Sequence, residues 1–198
     1  MATQQPSIPG WVTVPVALAD LHVLAYRAYR ESGSVWHDGI TATAVWVRGA
    51  GTGPVTFRQE QPVTRALAEA EWWAAVYVDS DGVKPPLESM CRRLDVAYQE
   101  PVALNRVWAR GVEAVLAWLT SDPLQGRSPP LRVPDRDADG NPATAEQLYH
   151  RFMEAAPHAE WGPEQRHALR NRTEADAARS QRLVALIDET VRLVRASA

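Results

Sequence analysis

The sequence predicts a mainly α-helical protein of about six helices, with one β-hairpin inserted between the first and second helices. Three observations indicate this fold class. Apolar side chains recur at intervals of three and four residues over most of the chain, and proline or glycine separates these stretches. One segment alone shows a two-residue alternation of β-branched side chains. At 198 residues, the chain is long enough to bury a core without disulfides or metals.

The periodicity divides the chain into four regions. Residues 1–10 hold Pro6 and Pro9 and predict a flexible tail. Residues 11–121 predict a helical core, residues 122–142 a proline-rich acidic loop, and residues 143–198 a C-terminal helical segment that packs on the core. The expected helices cover residues 15–31, 63–78, 86–97, 101–120 and 144–156, and a last one runs from Pro163 nearly to the end.

The hairpin is expected over residues 40–59. Thr41, Thr43, Val45 and Val47 alternate with other side chains, and a glycine-rich loop follows before a second short β-branched stretch at 55–59. The glycines also resemble a phosphate-binding loop. Such loops need a helix N-terminus after them, and the sequence predicts a strand there, so a hairpin turn is favoured.

The segment 101–120 predicts the central helix of the core. It opens on Pro101 and carries a wide apolar face that includes Trp108. Gly111 lies within that face, where the missing side chain would let a neighbouring helix approach closely.

Composition excludes several classes of protein. The net charge of −3 gives no general attraction to nucleic acid, and no apolar run is long enough to cross a membrane. Cys91 is the sole cysteine, so an internal disulfide is impossible and a cytoplasmic location is expected. Lys84 is the sole lysine against many arginines, which is the bias of a GC-rich bacterial genome.

An acidic stretch in the proline-rich loop fits the pattern of an EF-hand calcium loop. The candidate calcium ligands are Asp135, Asp137, Asp139, Asn141 and Glu146. The usual context is incomplete, because prolines precede the loop where a helix is needed and no second loop exists. The alternative is an acidic turn that caps the following helix, and this interpretation is favoured. No other cofactor is indicated.

No catalytic set is evident. His22 lies on an apolar helical face, and His37 stands beside Asp38 in a predicted loop without a recognisable nucleophile nearby. Cys91 is followed by two arginines that could lower its pKa, but a buried thiol is the favoured interpretation.

The last helix predicts an interaction surface. Its seam is apolar from Leu183 to Val194 but polar before that, so residues 170–182 are expected either to face solvent or to be covered by a partner. Four arginines in that stretch would then form the contacts: Arg170, Arg172, Arg179 and Arg182. Acidic residues are mixed among the arginines around the helix, so nucleic acid is not the expected partner.

Three functions follow from these observations. The favoured one is a non-enzymatic interaction or structural component that binds a protein partner or itself through the last helix and exposed loops. The second is a calcium-stabilised module built on residues 135–146. The third is a small enzyme whose active-site residues meet only in the fold.

Overall fold

The computed structural model describes residues 8–81, 87–121, 127–155 and 161–197. In this part of the chain there are seven α-helices and no β-strand. The chain divides into two compact units, Met1–Arg132 and Val133–Ala198. The first unit contains α1 (Pro15–Ser32), α2 (Val35–Val47), α3 (Arg65–Asp79), α4 (Leu87–Arg93) and α5 (Arg106–Thr120). The second unit contains α6 (Ala145–Ala155) and α7 (Pro163–Ala196).

The helical character is confirmed, but the predicted β-hairpin over residues 40–59 is wrong. Its first strand is the second half of α2, and its second strand is an irregular segment of turns. The same residues also fit a helical period, because Ile40, Thr43, Ala44 and Val47 are all buried at three- and four-residue spacing. Burial of that stripe outweighs the modest preference of β-branched residues for strands.

Local hydrogen bonds show how α2 tolerates its threonines. The hydroxyl of Thr41 donates to the carbonyl oxygen of His37 at 2.8 Å, and that of Thr43 donates to the carbonyl oxygen of Gly39 at 2.7 Å. A threonine in a helix can satisfy its hydroxyl in this way, four residues back along its own backbone. No partner strand is needed for these polar atoms.

The first unit is organised around the crossing of α2 and α5, where two glycines let the backbones touch. A Cβ built on Gly39 would lie 2.5 Å from the carbonyl oxygen of Trp108 in α5. A Cβ on Gly111 would collide with the carbonyl oxygen of Trp36 and lie 3.2 Å from the amide nitrogen of Ile40, both in α2. The inference that Gly111 admits a close neighbour is confirmed, and one face of α5 is buried, with Val112, Val115 and Leu116 inaccessible to solvent.

The central helix begins five residues later than predicted. Asn105 caps it, with a side-chain oxygen that accepts from the backbone N–H of Val107 at 2.9 Å and of Trp108 at 3.2 Å. The residues before this cap are not helical. The amides of Val102 and Ala103 both donate to the carbonyl oxygen of Val55, at 2.9 and 3.1 Å, which ties this segment to the loop after α2.

In the second unit, α6 packs on α7. Thr144 and Gln147 form a reciprocal cap at the start of α6. The backbone N–H of Gln147 donates to the Thr144 hydroxyl oxygen at 3.2 Å, and the backbone N–H of Thr144 donates to the side-chain oxygen of Gln147 at 2.8 Å. None of the helices that the structure describes combines the length and the apolarity needed to cross a bilayer.

Candidate functional site

The most unusual group of side chains in the first unit is an ion pair without solvent contact. Glu71 in α3 and Arg58 in the loop before it are both fully buried, and Arg58 Nε lies 3.0 Å from Glu71 Oε1. The Glu71 carboxylate also accepts from the backbone N–H of Val55 at 2.9 Å and of Thr56 at 3.3 Å, and from the Thr56 hydroxyl. The Glu71 carboxylate therefore holds the loop segment 55–58 in place through several hydrogen bonds.

Only one of the five N–H groups of the Arg58 guanidinium is hydrogen-bonded within the described residues. Its Nε donates to Glu71 and to the hydroxyl oxygen of Thr56, the latter at 3.1 Å. Its Nη1 and Nη2 are buried and have no hydrogen-bond partner among the residues that the structure describes. Buried donors in native proteins are almost always paired with protein, water or ligand, so these nitrogens call for an acceptor.

The loop closes tightly over this pair. The amide of Gly53 donates to the carbonyl oxygen of Arg58 at 2.7 Å, and a Cβ on Gly53 would lie 2.6 Å from Arg58 Cγ and 2.8 Å from Glu71 Oε1. Phe57 adopts a left-handed backbone with φ of 56°, and its ring is 48% exposed. Such a conformation is uncommon for a bulky residue and marks a local constraint.

Exposed apolar side chains gather on this loop and on the segment bonded to it. We use the name loop surface for residues 54–60 and 98–107. The two segments are joined by the hydrogen bonds that the backbone N–H groups of Val102 and Ala103 donate to the carbonyl oxygen of Val55. In addition, the indole Nε1 of Trp108 donates to the carbonyl oxygen of Pro54 at 3.2 Å. In the part of the chain that the structure describes, five of the nine most exposed large apolar side chains lie here: Phe57, Tyr98, Val102, Leu104 and Val107.

A cavity of about 730 Å³ opens beside the ion pair. Its walls are formed by two stretches of the loop surface, residues 56–60 and residues 99–100. Glu60 and Glu100 are exposed and make its rim acidic, while Gln59 and Gln99 supply neutral amides. The site thus combines exposed apolar side chains, a guanidinium with unpaired N–H groups and an acidic rim.

Cys91 is a buried thiol, as the sequence analysis favoured. Burial raises its pKa, the charge of Glu71 acts in the same direction, and the charge of Arg58 opposes them. The thiol is therefore protonated at neutral pH, which makes it a poor nucleophile.

Of the histidines considered for chemistry, His22 and His37 lie on different helices. His37 and Asp38 fall in the first turn of α2 and not in a loop, and burial raises the pKa of Asp38. The His22 ring contacts Arg48, with 2.6 Å between His22 Nδ1 and Arg48 Nη1. Burial, and secondly the Arg48 charge, lowers the pKa of His22 to about 4.

The His22 contact predicts a pH-dependent stability. The imidazole stays neutral in the folded chain, while in the unfolded chain it titrates at its ordinary pKa of about 6.5. At pH values between about 4 and 6.5, His22 is protonated in the unfolded chain but not in the folded chain. The free energy of unfolding therefore falls as the pH drops from 6.5 towards 4. Urea denaturation at several pH values should show that His22→Gln loses less stability across this window than the wild type. Equal losses in both proteins would contradict the assignment.

The predicted calcium ligands lie in the second unit, in a compact acidic turn. Asp137 Oδ1 accepts from the backbone N–H of Asp139 at 3.0 Å and of Asn141 at 2.8 Å. Asp135 instead faces α7, where the Ser180 hydroxyl lies 3.4 Å from its Oδ2 and 3.0 Å from its amide nitrogen. Glu146, in the first turn of α6, is 85% exposed. In the described residues, no three His, Cys, Asp or Glu side chains meet as a metal site would require.

We expect calcium to bind this turn weakly, well short of the micromolar affinity of sensor loops. The Asp135 and Asp137 carboxylates already accept hydrogen bonds within the turn or from α7, and a metal would have to break these contacts. Calorimetric titration of Ca²⁺ measures the affinity, with Asp135→Ala and Glu146→Gln as matched variants. Micromolar binding that both variants abolish would show that the turn rearranges into a calcium loop.

The polar half of the α7 seam is mostly buried. Leu169, Thr173 and Ser180 have at most 6% of their surface exposed, and the side chain of Asp176 is 21% exposed. The Thr173 hydroxyl donates to the carbonyl oxygen of Arg170 at 2.8 Å, so it needs no partner chain.

The four arginines of the predicted interaction surface are exposed around that helix. Arg170 stacks over the Tyr149 ring at 5.3 Å and, with Glu146, lines a cleft of about 350 Å³ between α6 and α7. Arg172 and Arg179 flank Asp176 at 3.8 and 3.7 Å, and Arg182 lies one turn further on. The structure therefore places Glu146 and Arg170 in one cleft and the other arginines outside it.

Sequence reasoning missed Glu71 and Arg58. Glu71 left a usable signal, because it lies at helical spacing with Ala68, Ala75 and Val78, which are buried. A charged residue on such a stripe indicates a buried partner. Arg58 left none, since it lies in a segment without regular structure, 13 residues from its partner.

Comparison with protein-family models, with curated proteins and with solved structures gave no match for this chain.

Proposed function

We propose that this chain is a non-enzymatic binding component that works by protein–protein contact, and that the loop surface is its main contact site. The observation that carries the proposal is the concentration of exposed apolar side chains on two segments that are hydrogen-bonded to each other. Large apolar side chains that stay exposed close together in the chain often belong to a site of association. The single buried thiol is compatible with work in a reducing cytoplasm.

The charges around the loop surface favour a different protein over a second copy of the chain. A two-fold contact through this surface would bring the Glu60 and Glu100 side chains of both copies together, and like charges across an interface are unfavourable. The nearby cations Arg106 and Arg110 already pair with acidic residues, at 2.9 Å to Asp81 and 2.7 Å to Asp79. The partner should therefore present apolar side chains flanked by lysine or arginine.

The C-terminal helix stays a proposal as a second contact region. Because most of the polar half of the α7 seam is buried, a contact there would use the exposed side chains of the helix, which include Arg182 and, near the end, Leu193 and Val194. This region has fewer exposed apolar side chains than the loop surface, so we rank it second.

Replacement of Leu104 by aspartate is expected to weaken partner binding while leaving the fold intact. Leu104 is 68% exposed, so the new charge costs the monomer little, but it would be desolvated in an apolar interface. A photo-crosslinking residue placed at position 104 in the cell identifies the partner, which is then purified and titrated against the full chain. We expect the Kd to rise by about tenfold or more.

The matched control is Val16→Asp, which places the same charge on α1 at a side chain that is 51% exposed. It should leave the Kd unchanged. Cross-links that join only copies of this chain, or equal losses of affinity in both variants, would overturn the proposal.

A further inference from the structure

The guanidinium of Arg58 has one satisfied edge and one open edge. Nε is held by Glu71 and Thr56, whereas Nη1 and Nη2 are buried and find no acceptor in the described part of the chain. The fork of N–H groups on those two nitrogens has a fixed geometry that suits an oxygen lying in its plane. An oxygen supplied from outside the chain would complete the site, and the cavity lined by residues 56–60 and 99–100 is next to it.

The local charge decides what kind of oxygen fits. Glu71 already balances the charge of Arg58, since the two side chains form a fully buried ion pair. A carboxylate or phosphate on the open edge would leave an uncompensated negative charge in a buried site, which is strongly unfavourable. The acidic rim of Glu60 and Glu100 adds repulsion against any anion that enters. A neutral carbonyl oxygen satisfies the N–H groups without either cost.

We infer that the cavity beside Arg58 is a binding site for a neutral amide carbonyl, which accepts hydrogen bonds from Nη1 and Nη2. The inference deepens and rests on the proposed function, because the docked segment of the partner protein supplies this carbonyl from its backbone. Its apolar side chain contacts Phe57 and its neighbours on the loop surface. The segment 53–60, which has neither helix nor strand, must shift on binding so that the oxygen reaches the buried nitrogens.

Two small probes of nearly the same shape but different charge test the inference on the wild-type chain. 3-Phenylpropanamide offers an aromatic ring with a neutral amide, and 3-phenylpropanoate offers the same ring with a carboxylate and no amide. Ligands of this size bind with a Kd on the order of 1 mM. The readout is the ¹⁵N–¹H signals of the Arg58 guanidinium during titration, with the Arg48 guanidinium as an internal control because it contacts His22 instead.

We expect the amide to shift the Arg58 signals saturably, the carboxylate to do so about tenfold more weakly, and the Arg48 signals to stay in place. Equal or stronger binding of the carboxylate would overturn the choice of a neutral ligand. If the amide shifts backbone signals of the loop surface but not those of Arg58, or shifts neither, the inferred site is wrong. The Leu104→Asp experiment is independent, so a partner lost in that variant preserves the proposed function even when the Arg58 site fails.

Discussion

Replacement of Glu71 by glutamine is expected to lower the free energy of unfolding by about 3–5 kcal/mol. The amide has nearly the shape of the carboxylate but no charge, so the buried guanidinium of Arg58 would be left without its counterion. The backbone N–H groups of Val55 and Thr56 would also lose a charged acceptor. Chemical denaturation monitored by tryptophan fluorescence and by circular dichroism measures the change.

Glu69→Gln is the matched control. It makes the same substitution in the same helix, at a glutamate that pairs with Arg65 over 3.0 Å in a partly exposed i, i+4 bridge. Bridges of this kind contribute about 0.3–0.5 kcal/mol. If the two variants lose equal stability, the Arg58–Glu71 pair does not have the role assigned to it.

Gly111→Ala is expected to destabilise the chain by about 1–3 kcal/mol, whereas a glycine-to-alanine change inside a helix usually stabilises a protein. In an unobstructed helix, alanine is more favourable than glycine by about 0.5–1 kcal/mol. At position 111 the new methyl group would meet the backbone of α2 at Trp36 and Ile40, which cannot move aside as a flexible side chain could. Thermal and chemical denaturation report the sign of the change.

Gly10→Ala serves as the comparison, because a Cβ at that position meets nothing within 4 Å. Its effect should be close to zero. A stabilising effect of Gly111→Ala would show that α2 and α5 lie further apart than the structure has them.

The helices of the first unit could be predicted where burial follows a clear period. The observed α1 and α3 lie close to the predicted ranges 15–31 and 63–78, and both are bounded by residues that start or stop helices. The failure at residues 40–47 has a specific cause. Over eight residues, a stripe of β-branched side chains fits both a two-residue and a helical period, and only the packing of α2 on α5 separates the two.

The candidate site was much less predictable than the helices. The position of Arg58 depends on a contact with α3, and a single sequence does not reveal contacts between segments of irregular backbone. The exposure of Leu104 and Val107 was also missed, since both fit the apolar face of the predicted central helix. Because Asn105 caps the helix, α5 starts at Arg106 and Leu104 lies outside it. Leu104 and Val107 are both exposed at the surface.

The hydrogen bonds from Val55 and Thr56 to Glu71 also bear on the order of events in folding. These bonds span 16 and 15 residues, and the loop has no ladder of its own that could form beforehand. We expect its shape to appear after α3 has formed and docked, as a late step that follows assembly of the helices. Interactions made this late add little to the rate of folding and mainly slow unfolding. The stability that the loop contributes would then be expressed mainly as a slower rate of unfolding.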